Sequence, residues 1–142
     1  MKRPVNEMKI KLPALSVNEG ACRAVVAAFC AQLDPNIEEL ADIKCAVSEA
    51  VTNAIVHAYA GRGGEIYISV GLYEGRLIRV EIRDRGCGIP DVKTAMQPLY
   101  TTDKTGERSG MGFAVMGSFM SRLHVSSKPE KGTRVTMWKQ LG

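Results

Sequence analysis

Near the start of the chain Met8, Ile10 and Leu12 alternate with Lys9 and Lys11, a period of two that predicts a short edge strand with its lysines toward water. The period then changes to that of a helix. Ser16 with Glu19 three positions on matches a capping box, and Val25, Val26, Phe29 and Leu33 recur at helical spacing, so residues 17–33 are expected to be helical. Asp34-Pro35 ends that helix. A second is expected from about Asn36 to about Ala60, with Glu38 and Glu39 in its electropositive first turn and an apolar stripe of Leu40, Ile43, Val47, Val51, Ala54 and Ala58.

Gly61, Gly63 and Gly64 interrupt this pattern, and residues 65–73 and 76–83 then read as a hairpin around Glu74-Gly75. Residues 84–110 carry Gly, Pro, Thr, Asp and Ser throughout, with a helical turn expected near Val92 to Met96. Loops of this length in small domains are usually functional. A third helix is expected over 111–121, with Phe113, Met116 and Met120 on one face, followed by strands near 124–127 and 133–139 around Lys131-Gly132. Short connections make the sheet mostly antiparallel, and one-sided helices cover one of its faces. The expected fold class is α+β, a two-layer α/β sandwich with a mostly antiparallel mixed sheet.

The length, 142 residues, suits one domain spanning 1–142, and 45% apolar with 24% charged residues is ordinary globular composition. No apolar run reaches the roughly 18 residues that span a bilayer, and no apolar signal core follows Met1, so no membrane association and a cytoplasmic address are expected. Cys22, Cys30, Cys45 and Cys87 form no Cys-x-x-Cys pair and are expected to be buried free thiols. The net charge of +4 is modest, and the basic residues are scattered with only eight aromatics, which argues against a direct nucleic-acid binder.

Three stretches carry candidate chemistry. Between Lys44 and Arg62 the only formal charge is Glu49, and Glu49, Asn53 and His57 follow at i, i+4, i+8 along one side of the second helix. They are either a hydrogen-bonded row in a buried helix or the wall of a ligand site; a carboxylate facing a cleft avoids the desolvation that burial would impose. Asp84-Arg85-Gly86-Cys87-Gly88 follows a strand directly, as a tight turn or as a backbone that lets a flat ligand come close. In the second case Asp84 would accept a hydrogen bond from the exocyclic amine of adenine, where guanine offers only an acceptor. Finally, Gly106 to Phe113 is glycine-rich and runs into a helix, a start that binds phosphate through backbone N–H groups. Thr101, Thr102, Lys104, Thr105, Arg108 and Ser109 add donors suited to a phosphate lid.

In that order, Glu-x-x-x-Asn on a helix, Asp-x-Gly-x-Gly after a strand and Gly-x-Gly before a helix resemble the ATP-binding domain of the gyrase, Hsp90, histidine kinase and MutL superfamily, with its Bergerat-type fold. Residues 47–55, 97–102 and 107–113 are similar to the anti-sigma F family of stand-alone serine kinases. The resemblance implies ATP/ADP as nucleotide, Asn53 as a ligand of Mg²⁺, Glu49 as the general base, and Asp84 as the adenine contact. Gly86 and Gly88 would shape that pocket with help from Thr133, and Gly110 and Gly112 would offer N–H groups to the phosphates. Thr102, Thr105, Arg108 and Ser109 would belong to the lid. Implied partners are a sporulation sigma factor (sigma F), an anti-anti-sigma factor phosphorylated on serine, and a second copy in a homodimer. Arg23 is the candidate partner contact, or else a solvated surface arginine. The alternatives are the related kinase of the general-stress sigma factor and a nucleotide-gated binding module that transfers no phosphate.

Overall fold

In a computed structural model, which describes residues 3–60, 62–89 and 112–142, five strands form one sheet in the order β1-β2-β3-β5-β4. These are β1 (Asn6–Pro13), β2 (Glu65–Tyr73), β3 (Leu77–Asp84), β4 (Arg122–Lys128) and β5 (Gly132–Gln140). Every pairing among them is antiparallel, so the sheet is not mixed as the sequence suggested. Each neighbouring pair runs oppositely, including β3 and β5, which pair across the long insertion between them. The alternation within strands sorts the faces: Ile66, Ile68, Val70 and Leu72 of β2, Ile78, Val80 and Ile82 of β3, and Val135 and Met137 of β5 are buried beneath the helices.

Helices α1 (Glu19–Cys30), α2 (Ile37–Asn53) and α3 (Gly112–Phe119) form the second layer, with α2 between the other two and over β3. The core stripe of α2 is Ile43, Ala46, Val47, Ala50 and Val51, continued just past its end by Ala54, whereas Leu40 and the later Ala58 are only half-buried. In α1 the buried positions are Cys22, Val26, Ala27 and Cys30; Val25 is 38% exposed, because a helix face wide enough for Val26 turns its neighbour outward. Cys22 and Cys30 are buried free thiols as expected, but Cys45 and Cys87 are exposed. Burial pushes the Cys30 thiol up to about 12. Among the described residues no helix is long and apolar enough to cross a membrane.

The first helix does not begin with the expected box. Ser16–Asn18 is a 3-10 turn whose side chains do not cap it, and the Glu19 carboxylate accepts from Arg23 Nη1 at 3.0 Å instead. The reciprocal box is at Asn36, whose side chain accepts from Glu39 N at 2.7 Å while Glu39 Oε1 accepts from Asn36 N at 2.9 Å. Asn36→Ala is expected to lower stability by about 1 kcal/mol, read as a shifted urea midpoint with an unchanged slope. At the same end of the molecule Lys139 Nζ donates to Asp42 Oδ2 at 2.9 Å and to Phe119 O at 2.6 Å. One ammonium thus ties β5 and α2 to the last residue of α3.

Candidate functional site

Past Asn53 the second helix widens into a π-helical turn, Ala54–Ala58, closed by Tyr59 N donating to Ala54 O five residues back. Such turns recur at functional sites because they redirect the side chains beyond them. Glu49, Asn53 and His57 are all half-buried along this element. The Glu49 carboxylate and the Asn53 amide make no hydrogen bond or ion pair among the described residues. Glu49 therefore is not part of a satisfied polar row; it lines an open groove of about 410 Å³ with Ser16, Glu19, Ser48, Thr52, Ile55 and Val56. Arg23 spans the two helices beside this groove, donating from Nη1 to Glu19 Oε1 at 3.0 Å and to Ser48 Oγ at 3.1 Å.

The loop after β3 docks on the far end of the π turn. Cys87 N donates to Ala58 O at 2.9 Å, and a Cβ on Gly86 would stand 2.4 Å from the same oxygen, so only glycine allows this approach. On its other side the loop meets the β4–β5 turn. Gly88 has φ of +76°, a Cβ there would strike Lys128 O, and Ile89 N donates to Ser127 Oγ at 2.7 Å. The loop is thus clamped between the end of the Glu49–Asn53–His57 row and the last hairpin.

Asp84, 7% exposed, is held inside this clamp. Gly86 N and Thr133 N both donate to its Oδ1, at 2.9 and 3.2 Å, while Oδ2 has no partner among the described residues. Nor is Oδ2 sealed off from solvent, since Arg79 Nε is the only described side-chain N or O atom that is both buried and unpartnered. Among the described residues no cation pairs with the carboxylate. Arg83 and Arg85 turn to the opposite face of the sheet and stack on Tyr67, at 4.8 and 4.9 Å from the ring centroid. Burial accordingly raises the Asp84 pKa, and the Gly86 and Thr133 N–H groups only partly oppose it. With one oxygen locked by backbone, the other is left able to accept from a single donor.

These elements have counterparts in known proteins. The chain matches the histidine kinase-like ATPase domain family over residues 12–139. It is 53% identical over 137 residues to the anti-sigma F factor of Bacillus licheniformis, covering 96% of this chain and 93% of that one. The chain belongs to the anti-sigma F factor family. The member from Caldanaerobacter subterraneus subsp. tengcongensis is 55% identical over 137 residues, with 96% and 95% of the two chains covered. In structure the chain resembles the RsbU and RsbW domains of a Mycobacterium tuberculosis protein, with a TM-score of 0.68 at 22% identity over 97% of this chain and 33% of that one. As a histidine kinase-like ATPase domain it is a nucleotide-binding protein.

Of the residues singled out in the sequence of this anti-sigma F family member, Asp84, Gly86, Gly88 and Thr133 meet in one clamp, and Gly112 opens α3. Thr133 contributes its N–H to Asp84, and its hydroxyl is engaged with Ser127 Oγ at 2.9 Å. Thr102, Thr105, Arg108, Ser109 and Gly110, with the turn expected at Val92 to Met96, lie outside the described residues. Ser127 and Tyr59 were not anticipated. Ser127 lies in the strand expected near 124–127 and Tyr59 near the end of the expected second helix, and each accepts from a backbone N–H brought near only by folding.

Proposed function

We propose that the protein is an anti-sigma factor and serine protein kinase: it binds a sporulation sigma factor, sigma F, blocks its association with RNA polymerase, and uses Mg-ATP to phosphorylate an anti-anti-sigma factor on serine. It would act in the cytoplasm, as a homodimer of single domains spanning 1–142. The observation that carries this reading is that Glu49 and Asn53, one turn apart, keep uncommitted polar groups on the element that docks the Asp84 loop. The names of its relatives supply the partner class.

Asp84 Oδ2 accepts the adenine amine. The Asn53 side-chain oxygen suits a hard cation, and no cluster of three or more His, Cys, Asp or Glu side chains among the described residues offers a protein-only cage. Asn53 would help to hold Mg²⁺, which when bound would supply charge neutralisation of the transferring group. Gly110 and Gly112 present N–H groups to the phosphates, with Thr102, Thr105, Arg108 and Ser109 as lid donors. Glu49 takes the proton of the acceptor hydroxyl arriving through its groove. The test is transfer of labelled γ-phosphate from Mg-ATP to serine of an anti-anti-sigma protein. Bound ATP with no labelling, and sigma factor still captured, would point instead to a nucleotide-gated binding module.

Arg23 is the partner contact in this reading. Arg23→Glu sets a carboxylate against Glu19 and removes the donor to Ser48, and it is expected to weaken partner binding roughly 30-fold with ATP affinity unchanged. Calorimetric titration with each partner checks it; undiminished affinity rules Arg23 out.

A further inference from the structure

We propose that Tyr59 is a positioning residue that holds the Asp84 loop in register and thereby sets selectivity for a 6-aminopurine. The proposal rests on the reading of Asp84 as the adenine contact. Two N–H groups fix Asp84 Oδ1, and they differ in what holds them. Thr133 is fixed by the β3–β5 register, in which it faces Asp84 directly. Gly86 lies beyond the strand, so its place depends on whatever fastens the loop.

The fastening next to Asp84 is Tyr59. Its hydroxyl donates to Glu65 O at 2.6 Å, which commits the proton, and the oxygen then accepts from Arg85 N at 2.7 Å. One phenol thus joins the end of the π turn, the start of β2 and the residue between Asp84 and Gly86. The ring has little freedom to leave: a Cβ on Gly64 would stand 2.3 Å from Tyr59 Cε1, so the phenol is packed against that backbone. Ala58 O, one residue earlier, takes the Cys87 N–H. Consecutive residues at the end of the helix carrying Asn53 therefore grip consecutive stretches of the adenine loop.

Tyr59→Phe keeps the ring and removes only the hydroxyl. ATP and ITP, which carries a 6-carbonyl in place of the amine, are titrated against the full chain and the variant, and amide hydrogen exchange is followed at Arg85. The expected result is ATP binding weakened about three- to tenfold, the scale of one hydrogen bond, with ITP binding nearly unchanged and Arg85 exchange accelerated. An ATP-to-ITP ratio equal to that of the unsubstituted protein overturns the proposal, whatever happens to overall affinity. Rapid exchange of the Arg85 amide in the unsubstituted protein overturns it without any variant. If the unsubstituted protein does not distinguish ATP from ITP, the reading of Asp84 fails first and this proposal with it.

Discussion

Replacing Glu49 by alanine or glutamine is expected to slow phosphoryl transfer to serine by about 10²- to 10³-fold while ATP binding persists. General base catalysis contributes roughly 10²- to 10⁴-fold. The lower part of that range applies here because a loose phosphoryl-transfer transition state depends mainly on alignment and charge neutralisation, and little on nucleophile deprotonation. Binding should survive because Glu49 lies off the Asp84 clamp: its carboxylate bonds to none of Asp84, Gly86 or Thr133 and opens into the groove beside Ser48 and Thr52. Glutamine keeps the shape and removes the base, so the two variants should behave alike in transfer. Single-turnover labelling with saturating Mg-ATP measures the step, and calorimetry measures ATP affinity separately. Transfer at the native rate in Glu49→Gln would place the base elsewhere. A loss of ATP affinity in both variants would make Glu49 a nucleotide contact.

The features legible in the sequence are those in which a residue's role depends on its own neighbours in the chain. Alternation in β1, both hairpins, the span of α2 and the Glu49, Asn53, His57 row are of this kind, as is the Asp-x-Gly-x-Gly loop. Where two local readings compete, tertiary partners decide. Ser16-x-x-Glu19 fits the capping pattern, but Arg23 draws Glu19 away, and the box forms instead at Asn36, which takes the extended φ of −73° and ψ of 172° that a cap requires. Val25 and Val26 are adjacent, and only one can face the sheet; Cys22, Val26 and Cys30 set the true stripe. The exposure of Cys45 and Cys87 follows from placement, Cys45 on the outer side of α2 and Cys87 on the clamped loop, which thiol chemistry alone does not report. The π turn is the clearest case. Regular helical spacing places Ala58 in the core stripe, yet the widened turn leaves it half-buried and gives its carbonyl to Cys87.

Asp84→Asn is expected to cost most of the affinity for ATP and yet to stabilise the unliganded protein at neutral pH. The asparagine oxygen can accept from Gly86 and Thr133 as Oδ1 does now, leaving an amide NH₂ in place of the open Oδ2. A donor then meets the adenine amine, and the loss of a charge-assisted bond worth about 1.5–3 kcal/mol predicts roughly 10- to 150-fold weaker binding. The same NH₂ matches the 6-carbonyl of ITP, so preference should invert. The stability effect has the opposite sign because of burial. Desolvation raises the Asp84 pKa in the folded state above that of the unfolded chain, so folding favours the protonated form. The stability this group contributes is fully present below its unfolded pKa and is lost as pH rises through the raised folded value. Asparagine carries no such loss, so the difference in unfolding midpoint between the variant and the native chain should widen from acid to neutral pH in favour of the variant. A variant less stable than the native chain at neutral pH would show that the carboxylate is compensated by something beyond its two N–H donors. Gained stability with lost ATP affinity is the pattern of a group kept charged and buried for the ligand it reads.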